Sequence, residues 1–252
     1  MSAHLSDWHK RSGRHEHKYR IPIAQYYALR NAISGYMVYD KYTARAPRGG
    51  YFVRSLYYET LRDNVYREKM AGDYARVKYR IRTYSANRSE VGMVRAELKV
   101  RRGESLSKYQ SSVPLASAER FIMSKEWGAQ SVDPVLEEFA RGVHLMGLNP
   151  VVLVDYHREG YESRHNDKLR VTFDHRVSSY RSSKLFPADP FFRIHHDNEV
   201  VMEVKYRQSP PRWLRPIVQS HGLRLVANSK FTQAIEVGCR DRVLANGVLL
   251  VR

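Results

Sequence analysis

Residues 76–84 read RVKYRIRTY. Basic side chains fall at every second position, Arg76, Lys78, Arg80 and Arg82, with Val77, Tyr79 and Ile81 between them. A period of two predicts a strand, because successive side chains point to opposite sides of a sheet. On strand geometry, neighbouring cations of that face stand about 7 Å apart. One such strand is explained by apolar residues facing a core and basic residues facing water. The pattern recurs, however. Further strands are predicted at RHEHKYR (14–20), YFVRSLYYE (51–59), MVRAELKVR (93–101), VVLVDYHREGY (151–161), KLRVTFDHR (168–176) and EVVMEVKYR (199–207). Glu16/Lys18, Glu97/Lys99 and Glu203/Lys205 repeat one Glu-x-Lys pattern on three of them. Arg54 and Arg158 stand out from otherwise apolar and aromatic runs.

Helical patterns lie between the strands. PIAQYYALRNAI starts on Pro22, a good first-turn residue. SAERFIMSKEW (117–127) offers Ser117 as a cap. DPVLEEFARGVHLMG (133–147) has Asp133 as N-cap, Pro134 at the first helical position and Gly147 at the end. Shorter helices are predicted in 210–222 and 228–236. APRGG (46–50) and FPADP (186–190) read as loops. The class is α+β with mostly antiparallel strands.

Strands with one charged and one apolar face allow two architectures. Apolar faces can meet in a sandwich, with the charges in water. Alternatively the sheet closes into a barrel, charges line its interior, and helices cover the apolar outside. The apolar stripes Phe121/Ile122 and Leu136/Phe139/Val143 would suit helices lying on such an outside. A charged lumen costs too much desolvation unless an anion, a metal or water fills it. The residues alone leave both architectures open.

Composition narrows the partner. The chain has 252 residues, 42% of them hydrophobic, and a formal charge of +17 spread along its length. That charge implies an acidic partner: nucleic acid, polyphosphate, nucleotides or an anionic membrane surface. No recognition-helix or RNP-like aromatic motif supports a nucleic acid. Cys239 is the single cysteine, so no internal disulfide forms and a reducing, cytoplasmic setting is expected. No apolar run is long enough to span a bilayer, and the N-terminus has no apolar signal core. His15/His17 and His195/His196 lack helical ligand spacing and read as packing or surface residues.

In order, RHEHKYRI, FVRSLYYET, VKYRIRTY, AELKVRR, DYHREGYE, LRVTFDHRV, VMEVKY and NSKF resemble the VTC domain. That domain is the polyphosphate polymerase module of the CYTH, or triphosphate tunnel metalloenzyme, superfamily. The similarity runs from about Arg14 to about Ile235. It implies one VTC-like tunnel domain over residues 1–252, with 1–13 as a flexible N-terminal segment. It also implies a closed antiparallel eight-stranded β-barrel tunnel with a basic interior and outer helices. The implied activity is transfer of the terminal phosphate of ATP onto a growing polyphosphate chain, releasing ADP. The alternatives are a metal-dependent tripolyphosphatase or nucleoside triphosphatase of the same superfamily, or a non-catalytic polyphosphate-binding subunit.

Carried over by motif, the catalytic residues are Arg80, Arg82, Lys99, Arg158, Arg170 and Lys230. Lys18, Arg54, Lys78, Lys205 and Ser229 join them in binding ATP and phosphate. Tyr156, two residues before Arg158 on the same strand face, is a candidate to stack on adenine, with a core tyrosine as the equal alternative. Glu203 would hold a divalent cation, Mn²⁺ or Mg²⁺, with Glu16 and Glu97 as further candidates. Hydrolytic members carry Glu-x-Glu-x-Lys on their first strand. Here the positions are Arg14, Glu16 and Lys18, so a cation replaces one carboxylate. That departure weakens the hydrolase reading. With no membrane segment of its own, the chain would need a separate membrane protein for any translocation.

Overall fold

The computed structural model describes residues 14–103, 105–128, 133–165, 168–207 and 209–245. Residues 1–13, read above as a flexible segment, lie outside the described ones, as do the side chains of Arg14 and Cys239.

The strands are β1 (Arg14–Pro22), β2 (Met37–Tyr39), β3 (Tyr51–Glu59), β4 (Ala75–Thr83) and β5 (Met93–Arg102). They continue as β6 (Ser105–Pro114), β7 (Asn149–Ser163), β8 (Arg170–Arg181), β9 (Arg193–Ile194) and β10 (Glu199–Arg207). The helices are α1 (Ile23–Ile33), α2 (Lys41–Arg45), α3 (Asn64–Ala71), α4 (Leu115–Ser124), α5 (Pro134–Met146), α6 (Leu214–Ser220) and α7 (Lys230–Ala245). All strands join one antiparallel sheet in the order β1-β10-β8-β7-β3-β4-β5-β6, with β2 on β7 and β9 on β8.

The expected closure of the barrel is corrected. Among the described residues the backbone pairing is an open path ending at β1 and β6. At the free edge of β1 it is the Val226 N–H of the chain preceding α7, and not a neighbouring strand, that donates to the Lys18 carbonyl, at 2.9 Å. The sheet nevertheless curls strongly. Lys99 on β5 reaches Glu16 on β1 at 3.3 Å, although five strands separate β5 from β1 along the path.

The alternation seen in the sequence sorts the two faces. On β4 and β5 the convex side carries Tyr79, Ile81, Ala96 and Leu98, all buried. Against them pack Phe121 of α4 and Leu136, Phe139 and Val143 of α5. Helix α5 lies close because Gly142 has no side chain: a Cβ there would overlap the Tyr79 ring. A second cluster joins Tyr26, Leu29 and Ile33 of α1 to Tyr19, Phe173, Met202 and Leu214. The helices thus cover the apolar outside. Asp133 caps α5 as read, accepting from the Val135 and Leu136 N–H groups, with Gly147 left-handed at its end. Helix α4 instead starts at Leu115 after Pro114, which places Ser117 inside it. Among the described residues no helix is long and apolar enough to cross a membrane.

Candidate functional site

The concave face is read directly from the registers. Glu16, Lys18 and Arg20 of β1 lie opposite Lys205, Glu203 and Val201 of β10. Next come Arg170, Thr172 and Asp174 of β8, then Arg158 and Tyr156 of β7. Ser55 and Tyr57 of β3 follow, facing Arg82 and Arg80 of β4. Lys78, Arg80 and Arg82 face Lys99, Glu97 and Arg95 of β5, and Lys108 of β6 lies beside Lys99. The first turn of α7 and the residues before it reach the same face. Lys78 donates to the Ser229 hydroxyl at 2.9 Å, and Lys230 stands 3.1 Å from Glu203.

Cations outnumber carboxylates here, and each carboxylate is shared. Glu203 meets Lys18, Lys205, Lys230 and Arg158 within 3.1–3.7 Å. Burial pushes its carboxyl up, but Lys230, Lys205 and Lys18 outweigh that and hold it well below the usual range. Glu97 is fully buried between Arg80, at 2.5 Å, Arg82 and Lys108. Burial opposes its ionisation, and Arg80 and Arg82 overcome it. Asp174 receives a two-pronged bond from Arg158 at 2.6 and 2.7 Å and pairs with Lys230. Lys230 is held above its ordinary value, because Asp174 and Glu203 outweigh the cost of burial.

Other cations are compensated less or not at all. Burial, reinforced by Lys99 and Lys18, pushes the Lys78 ammonium down to about 7. Lys99 also falls to about 7, through burial that Glu16 opposes and Lys18 reinforces. Burial brings Lys108 down to about 8 against the pull of Glu97. Like charges held together in a partly dry concavity are the condition that a bound polyanion relieves.

The structure brings Lys18, Lys78, Arg80, Arg82, Lys99, Arg158, Lys205, Ser229, Lys230 and Tyr156 together, along with Glu16, Glu97 and Glu203. Arg170 sits at the rim, 38% exposed, where it donates to Asp40 at 2.6 Å. Asp40 is itself fixed. It caps α2 by accepting from the Tyr42 and Thr43 N–H groups, and Gly160 lies so close that a Cβ there would overlap its carboxylate. Arg54 is not brought in. It projects from the opposite face of β3, where it forms a two-pronged pair with Asp155 at 2.8 and 3.0 Å among Phe52, Phe186 and Phe192. Tyr156 does not offer a free face for adenine. Arg158 and Lys230 stand 5.1 and 5.0 Å from its ring centre, and its hydroxyl accepts from Arg82. Sequence reading missed Asp40, Tyr57 and Lys108, and it placed Asp174 on the face of Arg170 and Thr172 without giving it a role. Lys108 alone carried a signal, as the basic residue of SLSKYQSSVP, but that stretch lacks the apolar alternation that marks a strand.

The resident divalent cation expected at Glu203 does not fit this donor set. Among the described residues no three His, Cys, Asp or Glu side chains group to hold an ion. Lys18 bridges Glu16 and Glu203, and Lys230 bridges Glu203 and Asp174, so ammonium groups sit where a metal would bind.

Solved structures align with the chain at low identity. One, titled "putative adenylate cyclase" and from Bacillus halodurans, is 12% identical over 86% of this chain and 95% of its own, with a TM-score of 0.49. The PH1819 protein of Pyrococcus horikoshii OT3 is 10% identical over 88% and 99%, with a TM-score of 0.44. At these scores neither likeness carries an argument about chemistry. No curated protein matches the chain. The sequence profile of the VTC domain, by contrast, matches residues 13–238. By that match over nearly the whole length, this chain belongs to the VTC domain family.

Proposed function

We propose that the protein is a polyphosphate polymerase, transferring the terminal phosphate of ATP to a growing polyphosphate chain. Family membership supports a nucleotide- and polyphosphate-related function. The observation that carries the finer reading is the cation surplus of the concave face, where Lys18, Arg80, Arg82, Lys99, Arg158 and Lys230 share Glu16, Glu97, Glu203 and Asp174.

The chemistry needs little from the protein beyond charge and position. A terminal oxygen of the chain, already anionic near neutral pH, attacks the γ-phosphorus of ATP. The bond from that phosphorus to the β,γ-bridging oxygen breaks, and ADP leaves with the electron pair. The transition state is loose and in line, so holding two polyanions together supplies most of the catalysis. Arginine suits this role because its planar fork stays charged and binds two phosphate oxygens. Arg80, Arg82 and Arg158 are held firmly by Glu97 and Asp174 and act as clamps. Lys18, Lys99 and Lys230 add point charges, and Arg170 receives phosphate at the rim. No step is assigned to a protein-held metal.

Incubation with ATP, supplied with Mn²⁺ or Mg²⁺, followed by sizing of the product, tests the proposal. Long chains with matching ADP release support it. Orthophosphate alone would overturn it in favour of a hydrolase, and binding without turnover in favour of a non-catalytic subunit.

A further inference from the structure

The helices leave part of the convex side bare. Helices α4 and α5 pack on β4 and β5, and α1 packs on β1, β8 and β10. Between them, on β3, β7 and β8, lies a cavity of about 570 Å³. Phe52, His157 and His175 form one row across its floor. Arg48, Arg176 and Phe192 stand around that row. Tyr26 of α1 packs edge-on against His175, with ring centres 4.7 Å apart.

The charges of this cavity do not balance. Its two carboxylates are already taken. Asp155 holds Arg54, while Glu159 accepts from Tyr26 at 2.6 Å and Tyr161 at 3.0 Å and stands 3.3 Å from His175. Arg48 and Arg176 are exposed and make no hydrogen bond or ion pair among the described residues. Burial, then His175 and Arg48, hold the His157 imidazole below its ordinary value.

Arg176 is also held in a strained backbone. On β8 it and Val177 face the single residue Tyr156 of β7, which makes a bulge, and its φ of 51° is left-handed. Glycine adopts that conformation freely and arginine does not. Bulges re-aim side chains, and strain of this kind concentrates at functional sites. His157 and His175 are the chain neighbours of Arg158 and Asp174, so the cavity and the phosphate clamp stand back to back on two strands.

Two guanidinium forks and an imidazole call for an anion with more than two acceptor oxygens. A phosphoryl group presents three, a carboxylate two. We propose that the convex cavity is a second anion site, in which Arg48, Arg176 and His157 hold the phosphoryl group of a small phosphorylated ligand. Phe52 and Phe192 offer an apolar wall to the rest of such a ligand. Orthophosphate and a nucleotide carry the same group, and the test separates them. The inference does not depend on the reading of the concave face.

Proton NMR of the whole chain tests this, following the His157 and His175 ring signals as orthophosphate or ADP is added at constant ionic strength. His157→Gln and His175→Gln assign the signals. Both should shift to a saturating limit, and His157 should titrate at a higher pH with ligand than without. Arg48→Ala and Arg176→Gly should each weaken that binding about tenfold, equivalent to 1.4 kcal/mol. Stabilisation of the fold by tripolyphosphate, through the concave face, should persist in both. Arg176→Gly relieves the strained residue, so it should melt at the wild-type temperature or above. Tighter binding of ADP than of orthophosphate would identify a nucleotide, and equal affinity the free ion. Shifts that chloride reproduces, histidines that do not move, or binding that survives both arginine changes would overturn the inference. So would a lowered melting temperature of Arg176→Gly, which would make Arg176 structural.

Discussion

Lys99, on the strand next to one end of the sheet, meets Glu16, on the strand at the other end, at 3.3 Å, although backbone pairing leaves the sheet open among the described residues. The pair is asymmetric. Lys99 and Lys18 overcome burial to hold Glu16 far below the usual carboxylate range. Lys99 gains only that one close carboxylate, and burial with neighbouring cations still drives it down to about 7. The carboxylate is a partial stand-in for phosphate.

Glu16→Gln keeps the shape and removes that charge. The ligand-free protein should lose about 1.5–3 kcal/mol, the scale of a hydrogen bond to a charged group, since both Lys18 and Lys99 lose their carboxylate. Saturating tripolyphosphate should stabilise the variant at least as much as wild type, because phosphate then neutralises Lys18 and Lys99. Thermal melts with and without tripolyphosphate at fixed ionic strength measure both quantities. A variant less stabilised by ligand than wild type would contradict this account.

The lysines set a pH dependence. Lys78 and Lys99 titrate near 7 in the fold and Lys108 near 8, against 10.5 for an ordinary lysine. Between those limits the unfolded chain binds more protons than the folded one. Their contribution to stability is therefore unfavourable at neutral pH and becomes less so as pH rises toward 10. A bound polyanion returns the protons. At pH 8.5, tripolyphosphate binding should take up about one to two protons, and affinity should fall as pH rises from 7 to 9. Calorimetry in buffers of different ionisation enthalpy reads the uptake, and proton release on binding would refute the assignment.

Arg54 and Arg80 should fail in different ways. Arg54→Ala leaves Asp155 buried and alone on the convex side, costing about 3–5 kcal/mol, yet the stabilisation given by tripolyphosphate should persist. Arg80→Ala leaves Glu97 short of its nearest partner, at similar cost, and should also remove ligand-induced stabilisation. Adding Glu97→Gln to Arg80→Ala should recover stability without recovering binding. Denaturant melts of the single and double variants, with and without ligand, separate the cases.

The concave face binds anions through protein cations, so tripolyphosphate should still bind in the presence of EDTA. Isothermal titration with and without chelator checks this. Loss of all binding on chelation would mean that Glu203 and Glu16 release their ammonium partners to a metal.

Much of this was legible in the sequence, and the limits have physical causes. RVKYRIRTY showed its inward face because charged and apolar residues alternate strictly there. YFVRSLYYE gave no such guide. It is buried along most of its length, so nothing in it told which side Arg54 takes. β6 was missed because SLSKYQSSVP is an edge strand with polar residues on both faces. Asp40 escaped notice because its partner Arg170 lies 130 residues away in sequence, and Asp174 received no role because nothing in the pattern shows the two-pronged bond it takes from Arg158. The closed barrel was implied by resemblance, and nothing in the pattern marked the bond from the Val226 N–H to the edge of β1.

Gly160 carries no charge, yet its missing side chain governs how firmly the rim arginine is anchored. Any larger residue there would push Asp40 aside. Asp40 would then lose its grip on Arg170 and on the start of α2 together. A substitution at this one uncharged position of DYHREGYE would thus loosen the approach to the concave face while leaving each phosphate-binding side chain in the sequence intact.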